Sequence, residues 1–384
     1  MEGRAVVVGV GESPYYKRGG ASESEFQLAC IAIRNAVEDA GLTMADVDGF
    51  ASYMDRNEPV RLSNALGTGD LHFTGQTFGG GGNGTAAAVA LADMAVSAGY
   101  AECVVVFRSL AQGQFHRYGQ AGKSRRAGGS AAYTAPYGML SAAQICAMQT
   151  TRWMYDHGVT QDSLAEVALA CFAHAQHNPR AVRYGSPLTR EEYHASRWIA
   201  EPFHLYDCCP ENDGAAAIVV TTAERARDCA QPGVPIVAAA QGLAHRGGGA
   251  AFTEAGFPTA HYDLVARQLW NRAGVKPADV PVAQFYENFT GPVLMAIAEM
   301  GFCEPGEIND FVANGGIQLG GRLPINTSGG NLAEAYIHGF GCVVEAVRQM
   351  RGSSTCQVEG ADLSLVVAGP GFAPGSAVLF GRDS

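Results

Sequence analysis

Apolar residues along this chain fall into two alternating rhythms. Short unbroken runs of valine, alanine and isoleucine, such as Ala5–Val10, 102–107, 214–221, 235–240, 363–368 and 376–380, predict buried strands. Between them, apolar positions recur at helical spacing, over about Glu23–Ala40, Gly84–Gly99, Tyr262–Ala273 and Cys342–Met350. Alternation of this kind argues for layered α/β architecture.

The pattern occurs twice. Ala40-Gly41-Leu42-Thr43-Met44-Ala45-Asp46-Val47 returns as Ala273-Gly274-Val275-Lys276-Pro277-Ala278-Asp279-Val280. Each copy closes an amphipathic helix and leads toward a strand, Gly49–Tyr53 or Val282–Tyr286. The duplication predicts two similar halves, residues 1–222 and 235–384, joined across the proline- and glycine-bearing stretch 222–234. The first half alone carries a long insertion, about 110–205, with helical patterns at Ser141–His157 and Gln161–Gln176. An insertion of this size on a duplicated scaffold is expected to shape substrate access or subunit contacts.

Composition narrows the class. Of the 384 residues 47% are hydrophobic and 16% charged, as in a chain with much buried surface, and the net charge of −11 argues against nucleic acid or an anionic membrane as partner. No apolar run reaches the ~20 residues that span a bilayer, and no secretory pattern is visible, so the expectation is a cytoplasmic protein. The ten cysteines are scattered, with no Cys-x-x-Cys pair and no zinc-like spacing, which suits buried reduced thiols.

The segment 326–341, Asn-Thr-Ser-Gly-Gly-Asn-Leu-Ala-Glu-Ala-Tyr-Ile-His-Gly-Phe-Gly, is the most informative stretch. It sets Tyr336 among small residues shortly after a Ser-Gly-Gly turn. Glycine lets backbone approach a ligand closely, and a phenol held there can give or take a proton.

Together with Val8-Gly9-Val10-Gly11-Glu12-Ser13-Pro14, Pro136-Tyr137-Gly138-Met139-Leu140-Ser141 and Tyr206–Ala217, the Asn326–Gly330 stretch makes the chain resemble the thiolase superfamily over essentially its whole length. The nearest branch is the sterol-carrier-type thiolase-like proteins. The resemblance implies a five-layered αβαβα thiolase fold built from two similar halves, and a homodimer. It also implies a nucleophilic cysteine at the turn Phe78–Gly84 and a second near Val367–Gly369. Here Gly81 or Gly82 occupies the first place, no cysteine lies between Cys30 and Cys103, and none follows Cys356. The family's Gly-His-Pro falls on Ala335-Tyr336-Ile337, and its His-Asp-Cys-Phe on Tyr286-Glu287-Asn288-Phe289. Tyrosine stands at both histidine positions.

That pairing resembles the thiolase-like aldolases of bacterial steroid side-chain degradation. It implies retro-aldol cleavage of a β-hydroxyacyl-CoA, with a 17-hydroxy C22 steroid thioester giving a 17-keto steroid and propionyl-CoA. A C24 22-hydroxy substrate, a degradative thiolase and a non-catalytic acyl-CoA or sterol-binding subunit are the alternatives. The implied partner is a small acyl-CoA-associated protein with an OB-fold and zinc ribbon, giving a heterotetramer. No cofactor is expected in this chain: coenzyme A enters as part of the substrate, and any zinc would belong to the partner.

Cleavage of a β-hydroxy thioester needs a base, an acid and donors for the enolate oxygen. The expectation is that Tyr286 and Tyr336 exchange the protons. Since a free phenol titrates near ~10, His338 or backbone amides are expected to stabilise the phenolate. Gly81 and Gly82 are placed at the thioester oxygen, Asn288 and Asn326 as orienting amides, His245 and Arg246 along the pantetheine channel. Lys123, Arg125 and Arg126 are candidates for the CoA phosphates. Cys208 and Cys209 are expected to pack beside the Asp213-Gly214 turn.

Overall fold

The computed structural model describes residues 5–78, 81–115, 117, 131–245 and 257–382. The first half contains β1 (Ala5–Glu12), β2 (Tyr16–Lys17), α1 (Glu25–Asp39), β3 (Gly49–Tyr53), α2 (Pro59–Leu66), β4 (Phe73–Thr77), α3 (Thr85–Ser97) and β5 (Cys103–Ala111). A helical excursion follows: α4 (Ala131–Thr134), α5 (Ala142–His157), α6 (Gln161–Ala175), α7 (Arg190–Ala195) and the hairpin β6 (Trp198–Ala200) with β7 (Phe203–His204). The chain rejoins the sheet as β8 (Asn212–Thr222). The second half runs β9 (Val234–Gly242), α8 (Asp263–Ala273), β10 (Val282–Phe285), α9 (Thr290–Glu299), α10 (Ile308–Val312), α11 (Gly330–Ala333), α12 (Phe340–Arg351), β11 (Leu363–Ala368) and β12 (Gly375–Gly381).

The strand order β4-β3-β5-β8-β1-β9-β12-β11-β10 reads alike from either end. Its midpoint is the antiparallel pairing of β1 with β9, where Val6 faces Pro235 and Val7 faces Val234. Strands β3, β5 and β8 thus answer to β10, β11 and β12. A parallel bridge from Ala283 to Ile325 takes the place that β4 holds beside β3.

Side-chain alternation sorts these strands into layers. Ala215, Ala217 and Val219 of β8 pack with α1, whereas Ala216, Ile218 and Val220 pack with α3 and α12. In the second half Leu365 and Val367 of β11 join the core with α8 and α9, while Val366 and Ala368 face α3 and α12. Helices therefore cover both faces of each half-sheet, with α3 and α12 between them, and this makes the five layers. Strands buried on both faces lose polar alternation, which is why they read as unbroken apolar runs. The alanines 86–88 of α3 are small enough to let the two half-sheets close on it.

Among the elements without a sequence signal are β4, α9 and α2. The strand β4, Phe-Thr-Gly-Gln-Thr, is the outermost of its half and only half-buried. Helix α9 is buried along nearly its whole circumference, so it has no amphipathic stripe. Helix α2 buries only Leu62. The strand expected over Val282–Tyr286 ends at Phe285, and Tyr286 is the first residue beyond it. No helix among the described residues is long and apolar enough to cross a membrane.

Candidate active site

Tyr286 leaves the end of β10 with its N–H bonded to the carbonyl of Val367 on β11 (2.8 Å). Its ring lies between two glycines. A Cβ on Gly82 would come within 2.0 Å of the ring, and one on Gly339 within 2.1 Å. No L side chain larger than hydrogen fits at either place, so the two glycines make the slot that orients this phenol.

Tyr336 arrives from the loop between α11 and α12. Its N–H donates to Asn212 Oδ1 at the start of β8 (3.1 Å), and its ring packs among Leu110, Ala335 and Ile337. The hydroxyls of Tyr286 and Tyr336 stand 2.9 Å apart, with the rings inclined at 60°. Both tyrosines are more than nine-tenths buried.

His338 is the third member. Its backbone is left-handed (φ 52°), an uncommon state for a residue with a Cβ, and the following Gly339 has φ 84°. The Tyr53 hydroxyl donates to its carbonyl oxygen (2.7 Å), and the imidazole stacks on the Tyr53 ring. The Tyr336 ring meets the imidazole edge-on at 5.6 Å. Arg108 of β5 reaches Nδ1 with Nε at 3.2 Å and Nη2 at 3.0 Å. Burial, reinforced by the guanidinium, pushes the imidazole well below its ordinary value and keeps it neutral. A Cβ on Gly81 would lie 3.5 Å from Nε2, so the imidazole borders the turn that heads α3.

The backbone at one of the two positions where the resemblance puts a thiol leaves no room for a side chain. Gly369, within the segment where the resemblance puts the second cysteine, has φ 69°, and a Cβ there would meet the Asn83 backbone nitrogen at 2.4 Å. Among the remaining thiols Cys209 packs against the tyrosine cluster. Burial, then Cys208, pushes its thiol well above the ordinary range, so it remains protonated and a poor nucleophile.

The other expected residues divide. Asn326 is fully buried and faces protein: its Oδ1 accepts the Phe285 N–H (2.7 Å) and its Nδ2 donates to the Phe285 carbonyl (2.8 Å). The amide imitates a strand neighbour and pins β10, in place of the ligand-orienting role expected from sequence. Asn288 is buried, with an Oδ1 that finds no partner among the described residues, while its carbonyl accepts the Cys209 N–H (3.0 Å). His245 lies exposed on a surface turn. Arg246, Lys123, Arg125 and Arg126 fall outside the described residues.

Several supporting residues went unnoticed in the sequence. Arg108 sits within Val-Val-Val-Phe-Arg-Ser-Leu, and an arginine inside a buried strand was itself a signal. Glu287 is fully buried beside Tyr286, accepting from Asn331 Nδ2 (3.1 Å) and the Leu332 N–H (3.2 Å), and burial raises its carboxyl to about 7. Asn331 in turn accepts the Gly339 N–H (3.2 Å), so this carboxyl braces the turn behind Tyr286. No group of three or more His, Cys, Asp or Glu side chains among the described residues is placed to hold a metal.

Two half-sheets closed on a shared pair of helices, with a glycine turn heading one of them, define a thiolase-fold protein. Residues 257–380 match the family described as thiolase C-terminal domain-like. The chain is 42% identical to a 17-hydroxy-3-oxo-4-pregnene-20-carboxyl-CoA lyase of Mycobacterium tuberculosis, over 99% of this chain and 100% of that one. It is 40% identical to a steroid side-chain-cleaving aldolase of Thermomonospora curvata, over 100% and 99%. A solved Ltp2-ChsH2(DUF35) aldolase superposes with a TM-score of 0.92 at 38% identity, covering 100% of this chain and 99% of that chain. The chain belongs to the thiolase-like family of steroid side-chain-cleaving aldolases.

Proposed function

We propose that this chain is a carbon–carbon lyase that cleaves a 17-hydroxy C22 steroid CoA thioester to a 17-keto steroid and propionyl-CoA. One observation carries the reading: two buried phenols share a hydrogen bond of 2.9 Å beside a turn that has glycine where the resemblance puts a thiol. The substrate class is supported by the mycobacterial relative, a 17-hydroxy-3-oxo-4-pregnene-20-carboxyl-CoA lyase matched along its full length.

In this reading one tyrosine takes the proton of the C17 hydroxyl. The C17–C20 bond then breaks, and its electron pair moves into the thioester as an enolate. The second tyrosine protonates C20, which becomes the α-carbon of propionyl-CoA. Atoms balance, because the proton leaving oxygen is matched by one delivered to carbon. The contact between the phenols lets the first hand its proton to the second and reset the pair. A phenolate that accepts a hydrogen bond from the other phenol is stabilised by it. Gly81, Gly82 and the amides heading α3 border the expected position of the thioester oxygen, where each aligned donor is worth ~3 kcal/mol in the transition state.

The pairing of Ltp2 with ChsH2(DUF35) in the solved relative supports assembly with a small acyl-CoA-associated partner. We place any zinc in that partner and read the complex as a heterotetramer around a homodimer of this chain. The test is to incubate the chain, alone and co-purified with the partner, with the 17-hydroxy C22 thioester. Appearance of a 17-ketone and propionyl-CoA in equal amounts is expected. Absence of both from every pairing would overturn the reading.

A further inference from the structure

We infer that Arg108, held by Asp55, is a positioning residue that fixes His338 with its proton on Nε2, so that the neutral imidazole donates a hydrogen bond to the substrate's thioester oxygen. The inference rests on the retro-aldol reading and adds a side-chain donor to the backbone amides at the thioester oxygen.

The tautomer follows from donor counting. A guanidinium has five N–H donors, no acceptor, and no accessible neutral form in a protein. Two of its nitrogens, Nε and Nη2, converge on Nδ1 at 3.2 and 3.0 Å. Nδ1 must therefore present its lone pair, since a proton there would face two N–H groups. The single proton of a neutral imidazole then belongs on Nε2.

Arg108 is itself anchored. Its Nη1 lies 3.1 Å from Asp55 Oδ2, with both side chains at least 96% buried. The same carboxylate accepts the Ser109 N–H at 2.7 Å and the Ser109 hydroxyl at 2.8 Å. Glu25 stands 3.9 Å away as a second counter-charge. A paired arginine 230 residues from the histidine it orients is costly to bury, and that cost needs a reason.

The proton on Nε2 points toward the chemistry. Nε2 lies 3.5 Å from the spot a Gly81 Cβ would fill, at the turn that flanks Tyr286 through Gly82. The Tyr336 ring meets the same imidazole edge-on. His338 is kept in this pose by a left-handed backbone and by the Tyr53 hydroxyl on its carbonyl oxygen. Carbon–carbon cleavage moves negative charge onto the thioester oxygen, and a neutral imidazole N–H polarises a carbonyl without surrendering its proton. An imidazolium beside Arg108 would be repelled, so the neutral form is the one the site holds.

Three measurements test this on the assembled protein. First, with 15N-labelled histidine, the His338 signals are assigned by difference against His338→Gln. An unprotonated Nδ1 and a protonated Nε2 are expected, and a protonated Nδ1 overturns the inference. Second, the thioester 13C=O stretch of a bound steroid acyl-CoA lacking the 17-hydroxyl is read by infrared difference. A shift to lower frequency that disappears in His338→Gln is expected, and an unchanged stretch in that variant overturns the donor role. Third, Arg108→Gln, whose amide tolerates either tautomer, should lower kcat about 10²-fold with KM within about 3-fold, as for loss of one transition-state donor. Arg108→Lys keeps a pure donor and should recover at least a tenth of wild-type kcat. Wild-type kcat in Arg108→Gln overturns the inference, as does an equal loss in both folded variants. If a variant fails to fold, the labelled wild-type protein decides. If the wild-type complex releases no ketone, the aldolase reading fails, while the first two measurements still judge this one.

Discussion

The hydroxyl of Tyr286 lies 2.9 Å from that of Tyr336, across 50 residues of chain and from two different loops of the second half. Tyr286 follows β10, and Tyr336 follows α11. A contact of this kind is maintained by what surrounds it: Gly82 and Gly339 on one ring, Leu110 and Ile337 about the other.

Removing either hydroxyl should stop turnover without unfolding the chain. Tyr286→Phe and Tyr336→Phe each preserve the ring and its packing, so the circular dichroism spectrum should match wild type. Ketone release should fall at least about 10²-fold in each, the scale of losing a general acid or base. The double variant should be little worse than either single one, because the pair works as a unit. Near wild-type rates in both single variants would reassign the proton transfers.

Gly82→Ala tests the slot. A methyl there meets the Tyr286 ring at 2.0 Å, so the ring must shift and its hydroxyl must leave Tyr336. Overpacking of a closed core costs ~1–3 kcal/mol, which thermal unfolding would register alongside loss of activity.

Asn326→Ala should weaken the fold. It removes both hydrogen bonds to the Phe285 backbone and puts alanine at φ 50°. A loss of roughly 2–4 kcal/mol in urea unfolding is expected, with KM for residual activity nearly unchanged. A KM effect without a stability effect would return Asn326 to the ligand.

Glu287 makes stability depend on pH. Its folded carboxyl titrates at about 7 because of burial, against an ordinary value near ~4.3. Between those values the folded chain keeps a proton that the unfolded chain has released. The contribution is therefore fully present below ~4.3 and is lost as pH rises through about 7. Glu287→Gln cannot ionise, so relative to wild type it should gain roughly 2–4 kcal/mol between pH 4 and pH 8. Unfolding curves of both proteins across that range would check the slope.

Alkylation separates this chemistry from sulfur chemistry. Burial holds Cys209 protonated beside the tyrosines. Iodoacetamide at neutral pH should leave ketone release intact, whereas a thiolate-dependent enzyme would lose it.

How legible the site was depended on whether neighbouring positions in the chain were enough to mark it. Tyr336 and Tyr286 could be singled out because each stands in a short motif where a histidine was expected. The glycines at 81 and 82 stood out because a cysteine was expected in their turn. Asn326 was misjudged because a buried amide that completes a strand looks, in one dimension, like an amide that binds a ligand. Arg108, Asp55 and Glu287 were missed because their partners lie far off in sequence, His338 among them. The helix α9 was missed because full burial erases the periodicity by which a helix announces itself.

What the sequence settled by itself was the local and the repeated: layered α/β elements, their duplication, and the absence of cysteine between Cys30 and Cys103 and after Cys356. These are properties of residue type and spacing, and they survive without coordinates. Only the tertiary structure decided which side chains meet. It joined the halves at β1 and β9, slid Tyr286 between two glycines, brought its hydroxyl to Tyr336, and aimed a guanidinium at His338. The physical reason is that packing and directional hydrogen bonds act between surfaces, and those surfaces exist only once the strands and helices have closed on one another.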